Sequence, residues 1–416
     1  MQSVSTIRDD GAAVARAILA GLCASLVGIG LARFAYTPLI PALIQAHWFG
    51  AGDVVFLGAA NLAGYLAGAL SGRPLARRLG ARRTLQLMMV LAALAFLACA
   101  LPLSVAWFFA WRFLSGLSGG IIMVLAALTV LPAVPPARRG LASGAIFLGI
   151  GLGIAASGTL VPLLLERGLA ATWTGLGLVS LALALASWNW WPQGTASGAA
   201  AVSASVPASV PAPAAAGGSG FVLRLIYGQY ALKAVGLVPM MVFLVDYVAR
   251  GLHMGTHAAS MFWIVYGIGA IGGPVVYGML GERLGTGAAT RLTLLLQIGA
   301  AVALVAGTHR AVLVAATLVI GSFPSGIVPL TLTRIRQALH HDTAAQAAAW
   351  SRATTIFALF QALAGYACSW LFAANGGEHR SVLAVGAVAL ALALLSDLLL
   401  ARAAHARLAQ APAAGA

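Results

Sequence analysis

The sequence predicts an all-α membrane protein with twelve transmembrane helices in two pseudo-symmetric six-helix halves. Composition is the first reason: the chain of 416 residues is 61% hydrophobic and only 8% charged, far from the balance of a soluble domain. Patterning is the second. Apolar runs of about 20 residues recur from one end to the other, each long enough to cross hydrocarbon. In lipid such runs must be helices, because every backbone N–H and C=O has to be satisfied within the segment. The third is a break in the middle: Pro192 to Gly220 is uncharged and rich in Ala, Ser, Pro and Gly, the composition of a flexible linker. The expected division is a tail over 1–16, a six-helix half over 17–191, the linker over 192–220, a second half over 221–403 and a tail over 404–416.

The first span, 17–45, contains GIGLARFAYTPLIP, Gly28 to Pro41, with an arginine and two prolines inside an apolar run. Asp9 and Asp10 precede it, and the apolar run after Arg16 is too long for a signal-peptide core, so it reads as a true span rather than a cleaved leader. Pro38 and Pro41 remove backbone donors and kink the helix. Span two, 54–72, places Asn61 and Tyr65 one turn apart, with Gly64 and Gly68 for close helix packing. Spans three to six cover 84–103, 105–131, 140–165 and 168–191. The fourth carries Arg112, Gly116 and Gly120 at a spacing of four. After the linker come 221–249, which holds Lys233 and Asp246, then 258–280, 290–307, 311–333, 345–374 and 381–401.

Lys and Arg set the orientation. Of 24 basic residues, Arg167, Arg250, Arg310 and Arg380 fall in one set of loops, three lie inside spans, and the other 17 lie in or beside the loops on the side of both termini. That side is expected to be cytoplasmic, in a plasma (bacterial inner) membrane. A formal charge of +15 would suggest nucleic acid in a soluble protein. Here the charges sit between spans, where they orient the chain and meet anionic headgroups, so no nucleic-acid partner is expected.

The halves echo one another. GRPLARRLGARR follows the second span and GMLGERLGTGAATR the eighth, and the RLG triplets ending at Gly80 and Gly285 lie 205 residues apart. Six plus six helices with a repeated loop describe a pseudo-symmetric transporter. At these residues the chain resembles the major facilitator superfamily, whose loop between helices two and three reads roughly G-x-L-A-D-R-x-G-R-R. Leu75, Ala76, Arg78, Gly80, Arg82 and Arg83 fit, with Arg73 at the leading glycine and Arg77 at the acidic position. The second copy keeps Gly278, Leu280, Arg283 and Gly285, with Glu282 at the acidic position. The resemblance implies an inner-loop gate at these residues, and the missing acid weakens that implication for the first copy. Arg112, Gly116 and Gly120 are similar to the R-x-x-x-G-x-x-x-G pattern of the family's fourth helix, and GAIFLGIGLGIAASG lacks the Gly-Pro pair of its antiporter branch. The opening stretch resembles the G-x-x-R-F-x-Y-T-P-x-x-P pattern of the YbfB/YjiJ-like branch.

Three cations lie well inside spans: Arg33, Arg112 and Lys233, the only lysine. Each costs about 2.5–3.5 kcal/mol at a helix centre on insertion scales and is expected to face a wet cavity or a partner. Arg33 has two readings: it contacts substrate, or it caps carbonyls freed by Pro38 and Pro41. Lys233 is either functional or lipid-facing. Tyr36, Thr37, Asn61 and Tyr65 are hydrogen-bonding candidates for the same cavity, against a packing role. Asp246 reads as an i,i+4 partner of Arg250, and Asp397 as a residue that snorkels to the inner surface. The interior is then net positive, which suits a carboxylate bound by guanidinium through two parallel hydrogen bonds.

The leading expectation is a secondary carrier of small organic anions working by alternating access, with export as one direction. Efflux of amphipathic drugs is the alternative, and a non-transporting membrane sensor the third. His47, His253, His257, His309, His340, His341, His379 and His405 all fall in loops, tails or span edges, leaving Lys233 as the mid-depth candidate for proton coupling. Anion exchange and facilitated diffusion stay open. Cys23, Cys99 and Cys368 lie in apolar runs without CxxC spacing, so neither a disulfide framework nor a metal site is implied. No cofactor is expected, and no enzyme motif stands out. Each chain holds a complete two-half carrier, so a monomer is expected.

Overall fold

The structure, a computed structural model, describes residues 2–135, 138–192, 219–306, 309–339 and 342–410. The linker expected over 192–220 falls almost wholly outside the described residues, as does the end of the second tail. Helices account for nearly all the described chain, and no strand occurs among the described residues. Among the described residues eleven helices are long and apolar enough to cross a membrane, and a bent pair taken as one span makes a twelfth. They are α1 (Gly11–Gln45), α2 (Ala51–Leu79), α3 (Ala81–Cys99), α4 (Val105–Ala133), α5 (Leu141–Leu165) and α6 (Leu169–Ala186) in one half. The other half has α7 (Gly220–Gly251), α8 (Gly255–Leu284), α9 (Thr286–Ala306), the bent α10 (Arg310–Gly321 with Phe323–Ala338), α11 (Ala348–Ala374) and α12 (His379–Leu399). Their outward faces carry exposed Leu178, Leu363 and Trp370, a surface that belongs in lipid rather than water.

The kink expected in α1 is a longer break that begins before the prolines, and α10 is bent where an unbroken span was expected. In α1 the chain passes through a π-helical stretch, Leu26–Leu31, a short α-helical piece, Ala32–Phe34, and a 3-10 turn, Thr37–Leu39, before α-helix resumes at Ile40–Gln45. Pro38 and Pro41 each occupy the first turn of their segment, where a missing N–H costs nothing. The α10 span, expected to run unbroken over 311–333, bends by 40° after Gly321. Pro324 sits in the first turn of its second segment and cannot donate back across the break. The chain is also already helical from Gln2, inside the stretch expected to be a tail.

The repeat is visible in packing. α2 lies against α4, and α8 against α10; α3 packs on α6, and α9 on α12. A Cβ on Gly64 or Gly116 would run into the backbone of the facing helix, and so would one on Gly269 or Gly321. These helices touch backbone to backbone, which only glycine permits. The RLG turns match too: Gly80 and Gly285 have φ of 83° and 78°, and each carbonyl accepts the first backbone bond of the following helix, from Thr84 N and Ala289 N.

The halves meet along α5 with α8 and α2 with α11. We call the membrane side that holds the start of α1 and the end of α12 the terminal side, and the other the distal side. On the distal side α5 and α8 are pressed together, with Gly158 against Ile264 and Gly267 against Ala155. Toward the terminal side the same two faces part, and a Cβ on Gly144 or Gly278 would meet nothing within 4 Å.

Candidate functional site

The break in α1 organises the site. The α-helix stops at Phe34, and the carbonyl of Ala32 just before it points at α4 and α2. Arg112 donates to it from Nη1 at 2.9 Å and Ser115 from Oγ at 3.0 Å, while Asn61 Nδ2 approaches at 3.5 Å. Asn61 also reaches the Arg112 carbonyl at 3.4 Å and Ser115 Oγ at 3.4 Å. The Arg112 guanidinium lies over the Tyr36 ring, 4.2 Å from its centre. Capping is done by Arg112, not by Arg33, and at a carbonyl that neither proline frees: Pro38 and Pro41 remove the donors to Phe34 O and Thr37 O. Ser115, one turn from Arg112 on the same face, escaped the sequence reading, although that spacing was a usable signal.

Arg33 holds no backbone carbonyl. Its guanidinium lies 5.1 Å from the centre of the Tyr65 ring and 5.4 Å from that of Phe34, within range of a cation–π contact. Its Nη2 touches the Met241 sulfur at 3.5 Å. Tyr36 and Thr37 serve carbonyls: Tyr36 Oη donates to Val54 O at 2.6 Å, and Thr37 Oγ1 to Met241 O at 3.1 Å. The second bond crosses from α1 to α7 and helps seal the distal side between the halves.

Arg33, Tyr36, Thr37, Asn61 and Arg112 line one cavity with Phe34, Gly58, Leu62, Met241 and Val242. Its volume is about 20 Å³, room for a water molecule and little more, so the walls must part before cargo enters. Three buried polar atoms at or beside it have no hydrogen-bond partner: Arg33 Nε, Arg112 Nε and Asn61 Oδ1. Neither arginine is in an ion pair among the described residues.

Lys233 does not join this cavity. It is buried elsewhere in the second half, with Nζ donating to Gln229 Oε1 at 3.2 Å. Gln229 donates to Asp397 Oδ1 at 3.0 Å and accepts from Arg334 at 3.1 Å. Arg334 pairs directly with Asp397, and Arg291 approaches the same carboxylate at 3.5 Å. Asp397 is only 1% exposed, so it does not snorkel: cations on α9 and α10 come to it. The sequence reading missed this cluster because Asp397 lies 63 residues or more along the chain from the other members. Asp246 pairs with Arg250 as expected and also meets His379 Nε2 at 2.7 Å. His379 sits at a span edge, yet its ring is buried against Asp246 and Tyr247 of α7 and Phe372 of α11.

The expected inner-loop gate lies on the terminal side. Glu282, Arg283 and Gly285 are exposed, as are Arg78, Gly80 and Arg83, while Arg82 is half-buried. Glu282 forms no ion pair in this conformation among the described residues.

A family model described as the uncharacterised MFS-type transporter YbfB matches residues 25–398. No curated protein matches the chain. Among solved structures it is similar to the xylose transporter XylE from E. coli in a partially occluded inward-open conformation, with a TM-score of 0.70 and 16% identity over 92% of this chain and 98% of that one. It is similar to a bacterial homologue of the human lysosomal transporter Spinster, inward-facing and unoccupied, with a TM-score of 0.70 and 15% identity over 94% and 97% of the two chains. A D-xylose–proton symporter gives a TM-score of 0.67 and 15% identity over 92% and 96%. At such identities the likeness is one of fold. A multi-pass membrane protein with this fold and this family match has a clear place: the chain belongs to the YbfB-type family of transporters in the major facilitator superfamily.

Proposed function

We propose that this transporter carries small organic anions by alternating access, and that Arg33 and Arg112 receive the carboxylate of the cargo. One observation carries the reading. Two guanidinium groups line a single cavity, no carboxylate pairs with either among the described residues, and each keeps an unpartnered Nε. Uncompensated charge in a membrane interior is costly, and a bound carboxylate would satisfy both groups through charge-assisted hydrogen bonds. A cationic cargo would add to the unpaired charge. Lys233 has another role on this reading, since an acid already serves its cluster.

The excess of basic residues beside the terminal-side loops supports cytoplasmic termini, a plasma (bacterial inner) membrane location and an inward-facing state for this conformation. Closure of the terminal side would bring the two RLG loops into play as the gate, and the chain would work as a monomer. The test is counterflow of radiolabelled carboxylates in proteoliposomes. Saturable flux that disappears in Arg33→Gln and Arg112→Gln is the expected result. Flux untouched by both substitutions, or movement of lipophilic cations instead, would overturn the reading.

A further inference from the structure

A second unsatisfied polar group in the neighbourhood of Arg33 comes from the opposite half, joined to Phe34 through Trp263. Tyr266 of α8 is fully buried, and its hydroxyl has no hydrogen-bond partner. It lies within electrostatic reach of the Arg33 guanidinium. The ring is fixed by packing: it stacks on Trp263 with centroids 4.7 Å apart and 17° between planes. Trp263 is anchored in turn, since its Nε1 donates to Ser157 Oγ on α5 at 3.0 Å and its ring lies 6.2 Å from that of Phe34. A buried hydroxyl held rigidly with nothing to bond is costly, and in a carrier it is most simply a ligand group awaiting its ligand.

Arg33 is arranged in the complementary way. Rings of Tyr65 and Phe34 cover it at cation–π distance. Its edge is nearly unused: Nε has no partner, and Nη2 has only the Met241 sulfur. A guanidinium takes carboxylates along its edge and aromatic rings on its faces, so the edge is the position left for an anion.

We propose that Tyr266 is the second half's cargo ligand and that the cargo is an aromatic carboxylate. Its carboxylate, received by Arg33 and Arg112, also accepts from the Tyr266 hydroxyl, and its ring packs among Phe34, Tyr65 and Trp263. This rests on the anion reading given above and narrows it. The surroundings of Arg33 are ring faces and edges, which favour a planar body in offset or edge-to-face contact. A carboxylate held from α1 and α8 at once also ties the two halves together when cargo is bound, which is the differential contact that a conformational shift requires.

Tyr266→Phe tests the proposal, because it keeps the ring and its stack and removes only the hydroxyl. Binding would be measured by calorimetry on purified protein, using benzoate, phenylacetate and indole-3-acetate beside acetate, propionate and neutral benzamide. The aromatic acids are expected to bind the unsubstituted protein in preference to the aliphatic acids and benzamide. Tyr266→Phe is expected to weaken benzoate by about tenfold or more, the scale of one hydrogen bond to a charged group, with no loss of melting temperature. Equal benzoate affinity in Tyr266→Phe, or aliphatic acids binding as tightly as aromatic ones, overturns this proposal and leaves the anion reading standing. Absence of binding by every carboxylate of both kinds overturns the anion reading and this proposal with it.

Discussion

Arg112 donates to the carbonyl oxygen of Ala32 at 2.9 Å and covers the Tyr36 ring at 4.2 Å, so α4 grips α1 at the point where its α-helix ends. The two arginines of the cavity therefore differ. Arg112 is tied to the fold and offers its remaining N–H groups. Arg33 makes no bond to a backbone oxygen. Replacing Arg112 with Ala is expected to cost about 1.5–3 kcal/mol, the worth of a buried hydrogen bond from a charged donor. Arg33→Gln should leave stability almost unchanged while removing carboxylate binding. Melting curves in detergent, with and without ligand, separate the two effects.

Backbone contact between α2 and α4 gives a second expectation. Gly116→Ala places a methyl group against the Asn61 carbonyl, and Gly64→Ala against that of Phe113. Overpacking of this kind costs about 1–3 kcal/mol, and rigid facing backbone puts these sites at the upper end. Gly228→Ala and Gly299→Ala meet nothing within 4 Å and should be neutral or slightly stabilising, because alanine favours helix by about 1 kcal/mol. The yield of monodisperse protein in size-exclusion chromatography reports the difference.

The Asp397 cluster should behave as a unit. Asp397→Asn leaves Arg334 without its carboxylate, and breaking a buried pair costs about 3–5 kcal/mol. Adding Arg334→Gln should recover part of the loss, because it removes the cation left unpaired. A double-mutant cycle on thermal unfolding measures the coupling. Strictly additive losses would show that the two residues do not share one network.

Conformation can be read by thiol labelling. Cys23, Cys99 and Cys368 are all buried and should resist maleimide in the folded protein. A Gly144→Cys or Gly278→Cys variant places its thiol on the parted faces of α5 and α8, so both should label readily without ligand. Binding of cargo that draws the terminal side together should slow that labelling. Equal rates in both states would contradict a terminal-side opening that closes around cargo.

Much of the fold was legible because lipid imposes a simple rule. A long apolar run must be a helix, and twelve such runs in two echoing sets of six point to two six-helix halves. The RLG repeat at Gly80 and Gly285 was equally readable, because a turn with positive φ demands glycine. Partnerships were harder. Arg33 and Arg112 were visible as misplaced charges, yet which of them capped the broken helix depended on where the Ala32 carbonyl pointed. Asp397 looked like a surface acid because nothing local marks a carboxylate that waits for Arg334 and Arg291 from other helices. His379 looked like an edge residue for the same reason. The bend in α10 was signalled by Pro324 but hidden by the apolar residues around it. Tyr266 had no sequence signal beyond its spacing of three from Trp263.

The central claim is that the unpaired guanidinium groups of the cavity bind an anion. Its most direct measurement is the ligand-induced shift in melting temperature for matched anionic, neutral and cationic small molecules, on the unsubstituted protein and on Arg33→Gln. The account predicts that carboxylates stabilise the unsubstituted protein, that their neutral amides do not, and that Arg33→Gln loses the effect. Stabilisation by lipophilic cations, equal in both proteins, would contradict it and place drug efflux ahead of anion transport.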